Sequence, residues 1–255
     1  MFQIHILRYF VSLAYKGTDF HGWQVQPNAI SVQQVLNEGL SVLLKDQITT
    51  LGAGRTDTGV HAKQMYAHFD TDKEFNCVEI AYRLNAYINN SIVVKAVFSV
   101  SENAHARFDA TSRVYEYWLT QEKNPFLQDA AWLVYGDLDF DLMNEASDYL
   151  LSVSDFTSFA KVHSDVKTHI CDVRKAHWDF KDGVWIFTIE ADRFLRNMVR
   201  AIVGTLVELG KGKVTFHEFK AIVAKLDRGA AGASAPAKGL YLTNVDYAEG
   251  KLNEE

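Results

Sequence analysis

Ser31-Val32-Gln33-Gln34-Val35-Leu36-Asn37-Glu38-Gly39-Leu40-Ser41-Val42-Leu43-Leu44-Lys45 is the stretch from which the fold can be read. Its apolar residues Val32, Val35, Leu36, Leu40, Leu43 and Leu44 recur at helical spacing, which predicts a helix from Val32 to about Lys45. Ser31 is placed to cap it, with Gln34 completing the box, and Gly39 leaves room for a close neighbour. Upstream, Arg8–Tyr15 is rich in β-branched and aromatic residues and predicts a strand. Downstream, strands fit Ile48–Ala53 and Gln64–Phe69, a helix fits Cys77–Tyr87, and a strand fits Ile92–Val100. The order is β-α-β-β-α-β, the split βαβ or ferredoxin-like pattern.

The second half repeats that order loosely. Val114–Leu119 predicts a strand, with Trp132–Tyr135 a short extra one, and Phe140–Leu151 a helix. Strands at Ile170–Phe180 and Val184–Glu190 flank Lys181-Asp182-Gly183, an Asp-Gly hairpin signal. A long apolar helix is expected from Phe194 to Leu209, stopping at Gly210, and a second after Thr215, boxed by Glu218. Arg228–Lys238, with its alanines, glycines and Pro236, predicts a loop before a closing strand, Gly239–Tyr247. The expected class is α+β: two ferredoxin-like halves in one mixed, mostly antiparallel sheet with a cleft between them. The expected division is 1–107, carrying an aspartate loop, and 108–255, completing the cleft.

The chain has 255 residues and 48% hydrophobic residues, enough for a true core. Its two cysteines, Cys77 and Cys171, lack ligand spacing, so neither a disulfide frame nor a zinc site is expected, and the location expected is cytoplasmic. Met1-Phe2-Gln3-Ile4-His5 has no leader pattern, and no apolar run reaches the roughly 20 residues that span a bilayer. The net charge of −6 counts weakly against a nucleic-acid partner. Phosphate binding needs only a local basic surface, however. Basic residues gather at Arg107 and Arg113 and at Arg193, Arg196 and Arg200, while much of the acid lies at Asp137, Asp139, Asp141, Glu249, Glu254 and Glu255.

The run richest in chemistry is Ala53-Gly54-Arg55-Thr56-Asp57-Thr58-Gly59-Val60-His61-Ala62. Arg55 favours an ionised carboxylate at Asp57, and an ionised, sheltered aspartate can act as a nucleophile. The same run also suits a plain surface turn. Asp57-Thr58-Gly59 spells the aspartic-protease triplet, but the chain has one copy, and Arg55 opposes proton sharing. His217-Glu218 begins a zinc-protease motif, but Ala221 stands where the second histidine is needed. Gly210-Lys211-Gly212 lacks the spacing and hydroxyl of a phosphate loop.

Arg200 falls inside the expected helix, and at helical spacing Arg193, Arg196 and Arg200 share roughly one side, as a solvated stripe or an anion site. Tyr115 and Tyr117 share one strand face, as core packing or a base-stacking platform. His105-Ala106-Arg107-Phe108 contacts phosphate or links domains, and His21, His61 and His68 suit structural roles, since no nucleophile pairs with them.

The motifs together resemble the TruA family of tRNA pseudouridine synthases over nearly the whole chain. The runs, in order, are Tyr15-Lys16-Gly17-Thr18-Asp19-Phe20-His21-Gly22-Trp23-Gln24, Ser31-Val32-Gln33, Gly54–Ala62, and His105-Ala106-Arg107-Phe108 leading into Ala110-Thr111-Ser112-Arg113-Val114-Tyr115. Asp155-Phe156-Thr157-Ser158-Phe159, Met198-Val199-Arg200 and Gly239-Leu240-Tyr241-Leu242 complete the set. The resemblance implies a homodimer that isomerises uridine to pseudouridine in the tRNA anticodon arm, at nucleotide positions 38–40, with no cofactor or metal. By it, Asp57 is the nucleophile, Arg55 helps extrude the uridine, Tyr115 packs on the target base, and Arg200 is the charge partner of Asp57. Arg107, Arg113 and Arg196 are the expected RNA contacts. The chain departs from the family at Asn89-Asn90, where a proline turn is common, and at Phe194-Leu195-Arg196-Asn197. The carboxylate can attack the sugar or the uracil ring, and the residues leave both routes open. A protein that binds or folds tRNA without modifying it is the reading from another class.

Overall fold

The computed structural model describes residues 6–162 and 166–252. Met1–His5, where no leader is expected, and the acidic Glu254 and Glu255 lie outside the described residues. The chain forms two compact units, one running to Thr111 and taking up the chain again from Leu242, the other Ser112–Tyr241.

In the first unit, β1 (Leu7–Tyr15) leads to α1 (Val32–Leu44), β2 (Leu51–Gly52), β3 (His61–Thr71), α2 (Cys77–Tyr87) and β4 (Ile92–Val100). This is the split βαβ order read from the sequence. β1 pairs antiparallel with both β3 and β4, and β2 pairs antiparallel with β3. The helix expected from Ser31 onward forms, and Ser31 caps it: Ser31 Oγ accepts the Gln34 N–H, and Lys45 closes the helix in the left-handed region. The expected box is not completed, because the Gln34 side chain donates along the helix to Glu38 instead of reaching back to Ser31. Gly39 faces Leu84 and Tyr87, so the two helices approach closely there.

β2 is shorter than the expected Ile48–Ala53, because side chains of α1 take the backbone groups that a ladder would need. Ser41 Oγ accepts the Ile48 N–H, Asn37 Oδ1 accepts the Thr50 N–H, and Gln33 donates to the Thr50 carbonyl. The Asn89-Asn90 turn closes without proline, since Asn89 Oδ1 accepts the Ser91 N–H.

In the second unit, β5 (Ala110–Thr120, its first two residues in the first unit) is followed by β6 (Trp132–Leu133), α3 (Phe140–Leu150), β7 (Val173–Lys181), β8 (Val184–Ala191), α4 (Met198–Gly210) and α5 (Phe216–Ala224). β8 pairs antiparallel with β5 and β7, and β6 adds in parallel to β5. Asp182 and Gly183, at φ 52 and 80, make the tight hairpin that Asp-Gly predicts. Thr215 and Glu218 complete their reciprocal capping box.

The helix expected from Phe194 begins only at Met198. Asn197 sits at φ 67, ψ 0, a left-handed conformation that an α-helix cannot run through. Arg193 and Arg196 therefore lie on a loop, and only Arg200 of the three is helical. β7 likewise starts at Val173 rather than Ile170, which makes an isolated bridge to Asp155.

The final strand, β9 (Leu240–Tyr247), begins in the second unit and continues in the first. In the second unit, the Tyr241 ring lies on Trp118 with centroids 4.7 Å apart. In the first, Val245 donates to Gln64 Oε1 of β3, and Tyr247 donates to the Ala106 carbonyl beside the core of Phe10, Val100, Ala104 and Ala106.

Candidate active site

The aspartate loop joins β2 to β3 and is held by hydrogen bonds within the loop and from residues outside it. Trp23 N–H donates to the Thr56 carbonyl at 3.2 Å, and Val60 N–H donates to the Asp57 carbonyl at 3.1 Å. The Tyr15 hydroxyl and Thr56 Oγ1 share a buried hydrogen bond of 2.8 Å. Gly22, at φ +83, lies so close to this loop that a Cβ there would collide with the Thr56 carbonyl oxygen. Thr56 is buried, Asp57 half-buried and Arg55 exposed. The loop thus anchors its threonine and presents the residues on either side.

The two glycines of this run differ. Gly59 adopts φ +80, whereas Gly54 adopts no such conformation and has open space where a side chain would begin. His61 is buried and accepts the Gly17 N–H at Nδ1, 3.0 Å away, which ties the Tyr15–Gln24 run to the start of β3. His68 is also buried and accepts the Ala106 N–H at Nδ1. Both histidines have the structural role expected of them.

His105 builds the turn that carries Arg107. Its Nδ1 accepts the N–H groups of Arg107 and Phe108, and its own N–H donates to Asp109. Arg107 and Phe108 are exposed on this turn, with the guanidinium 5.7 Å from the ring centroid. Burial, with Arg8 nearby, holds the His105 imidazole below its ordinary pKa, which suits a neutral acceptor.

In the second unit, β5 carries Arg113 and Tyr115. Arg113 donates to the Asp192 carbonyl at 2.8 Å, at the entry to the loop that bears Arg193 and Arg196. Phe194 of that loop meets the half-buried Tyr115 ring edge-on, centroids 5.1 Å apart. Arg113, Tyr115 and the Arg193–Asn197 loop therefore share one neighbourhood, while Arg193 and Arg196 do not lie with Arg200 along one helix side as expected. Tyr117 does not join them. It is fully buried, its hydroxyl donates to the Pro236 carbonyl, and burial raises its pKa. The packing reading holds for Tyr117, and a stacking platform of both tyrosines does not.

Arg200 lies in α4, and its Nε donates to the Ala235 carbonyl at 2.7 Å. Sequence reading gave no role to that partner loop, because small residues carry no chemical signature. Among the described residues, no three His, Cys, Asp or Glu side chains gather as a metal-binding group.

Comparison with known proteins gives these residues a family. The model of a family described as tRNA pseudouridine synthase matches residues 146–248. A tRNA pseudouridine synthase A from Bacteroides thetaiotaomicron is 51% identical, over 97% of this chain and 93% of the relative. One from Bacteroides fragilis is 50% identical over 95% and 97%, and one from Acetivibrio thermocellus is 37% identical over 92% and 97%. With a pinned aspartate loop and such likeness along almost the whole of each relative, the chain belongs to the TruA family of tRNA pseudouridine synthases.

Proposed function

We propose that this protein isomerises uridine to pseudouridine in the anticodon arm of tRNA, at nucleotide positions 38–40, with Asp57 as the nucleophile. The observation that carries the reading is the loop around Asp57. Asp57 is half-buried two residues from the exposed Arg55, on a backbone bonded by the Trp23 and Val60 N–H groups, with the Thr56 side chain tied to Tyr15. A nucleophile of this kind needs a fixed angle of approach, and the hydrogen bonds on either side of Asp57 supply it.

The reaction breaks the bond between N1 of uracil and the sugar, rotates the ring, and joins carbon C5 to the sugar. N1 gains a proton and C5 loses one, so every atom of the substrate is retained and no cofactor is consumed. A base in a stem must first leave the stack, at a cost of roughly a few kcal/mol. Arg55, exposed at the mouth of the loop, is suited to fill the space left behind and to bind phosphate. Tyr115 packs on the extruded uracil, and its hydroxyl is the candidate for moving the C5 proton. Arg200 is the charge partner that keeps the carboxylate ionised. Arg107, Arg113 and Arg196 bind the phosphate backbone, supported by the exposure of Arg107 and Arg196. The acting form is a homodimer in the cytoplasm. Among the described residues no helix is long and apolar enough to cross a membrane.

The test is incubation of the pure protein with unmodified tRNAs, each bearing uridine at one anticodon-arm position, followed by assay for pseudouridine. Product at 38, 39 or 40 supports the reading, and binding without product returns the protein to the class of RNA binders. Asp57→Asn should abolish product while tRNA affinity stays within about tenfold, since phosphate contacts dominate affinity. Appreciable turnover by that variant rules out Asp57 as nucleophile.

A further inference from the structure

We propose that Arg228 is a positioning residue for this reaction: it shapes the Ala231–Ala235 segment so that the Ala235 carbonyl holds the Arg200 guanidinium at a fixed angle. The inference rests on the proposed role of Arg200 and adds a residue that acts through it.

The hold on Arg200 has two bonds. Arg200 Nε donates to the Ala235 carbonyl at 2.7 Å, and the Ala235 N–H donates to the Arg200 carbonyl at 2.9 Å. With Nε tied to a backbone group, the planar guanidinium cannot rotate without losing a charge-assisted hydrogen bond. The angle of Arg200 therefore depends on the placement of Ala235.

Little in the side chains of that segment could place it by packing. Gly229-Ala230-Ala231-Gly232-Ala233-Ser234-Ala235 has no large apolar side chain to bury. Hydrogen bonds and close backbone approach do the work instead. The Gly232 N–H donates to Thr205 Oγ1 of α4 at 3.0 Å. The Ala233 carbonyl oxygen occupies the space in which a Cβ at Gly204 would stand. Arg228 also holds the segment. Its Nη1 donates to the carbonyls of Ala231 and Gly232, and its Nη2 donates to Ser234 Oγ at 2.9 Å. Ser234 Oγ also accepts from Asn197 Nδ2 at 2.7 Å, which ties the segment to the left-handed residue preceding α4.

Arg228 is itself fixed at its base. Asp227 Oδ1 accepts the Gly229 N–H, and the Asp227 N–H donates to Ser158 Oγ, which in turn donates to the Ile222 carbonyl. Among the described residues, the side-chain partners of Arg228 are two carbonyls and a hydroxyl, with no carboxylate. An arginine that shapes one loop suits its planar fork, whose two Nη groups reach separated acceptors, while an ammonium carries all its donors on one nitrogen.

The experiment is a double-mutant cycle between Arg228→Ala and Arg200→Lys, read as the single-turnover rate at saturating tRNA, with tRNA affinity and urea stability measured beside it. Arg228→Ala should lower the rate about 100-fold with affinity within about threefold, because a misplaced catalytic group costs rate on that order. In the Arg200→Lys background, adding Arg228→Ala should cost less than about threefold more, since the group it positions is already replaced. Arg228→Lys should fail to restore the rate. If Arg228→Ala does not fold, Ser234→Ala removes one acceptor of the same hold and takes its place in the cycle, with about a tenfold loss expected. Equal rate losses in both backgrounds, or a full rate for the single variant beside a slow Arg200→Lys, overturn the proposal and leave the role of Arg200 standing. A full rate for Arg200→Lys overturns both, and absence of pseudouridine with unaltered protein overturns the function itself.

Discussion

Acidification should destabilise this protein between pH 7.5 and pH 5 chiefly through one buried side chain, His68, with the half-buried His105, also held below its ordinary pKa, adding in the same direction. The residue is 6% exposed, and Nδ1 accepts the Ala106 N–H at 3.1 Å, a bond only the neutral ring can make from that nitrogen. Burial first, then the Arg8 guanidinium and His105, pull its pKa down from 6.5 to about 4. Between those values the unfolded chain binds a proton that the folded protein refuses, so stability is complete above about pH 6.5 and falls with pH until about pH 4. Each tenfold weakening of proton affinity on folding corresponds to about 1.4 kcal/mol, and integration from pH 7.5 to pH 5 gives a loss of about 2 kcal/mol. Asp70, whose carboxyl the Arg8 hydrogen bond holds below its usual pKa, contributes stability that is lost only below about pH 4 and so does not enter this window. The comparison is with His68→Asn, which keeps an acceptor near the Ala106 N–H but does not titrate. Urea unfolding of both proteins at pH 7.5, 6.5, 5.5 and 5 should show the wild type losing about 2 kcal/mol more than the variant. Parallel curves would refute the reasoning, and so would a variant that loses more.

Binding of tRNA should weaken steeply with salt despite the net charge of −6, and a flat plot of log affinity against log salt would sink the role given to Arg107, Arg113 and Arg196. Tyr115→Phe and Tyr115→Leu should differ: the phenylalanine variant keeps the stacking face and stalls at a rearranged product if the hydroxyl moves the proton, while leucine loses both. Full activity in both variants, read by chromatography of the nucleosides, removes Tyr115 from the site. Gly204→Ala places a methyl group on the Ala233 carbonyl oxygen and should destabilise the protein by about 2–3 kcal/mol, checked by urea unfolding; a neutral result would mean that the loop beside α4 moves easily.

Local chemistry was legible in the residues themselves. The capped helix at Ser31, the capping box at Thr215 and Glu218, and the Asp182-Gly183 hairpin formed as read, because each is decided by groups only a few residues apart. The split βαβ order followed from periodicity, and the ordered motifs around Asp57 pointed to the family that comparison then established. Tertiary structure decided what those signals could not reach. Ile48–Thr50 has the composition of a strand, yet Gln33, Asn37 and Ser41 took its backbone groups, and that competition exists only once α1 has docked. Phe194–Asn197 continues an apolar helical pattern, yet Asn197 turned left-handed with its side chain bonded to Ser234, far along the chain. Tyr115 and Tyr117 are equivalent by spacing, and only the Pro236 carbonyl and the core around it made one of them a buried pillar. The segment that clasps Arg200 was legible as a loop, but its hold on the arginine left no trace in the sequence, since a backbone carbonyl belongs to every residue and its partner is chosen by the fold.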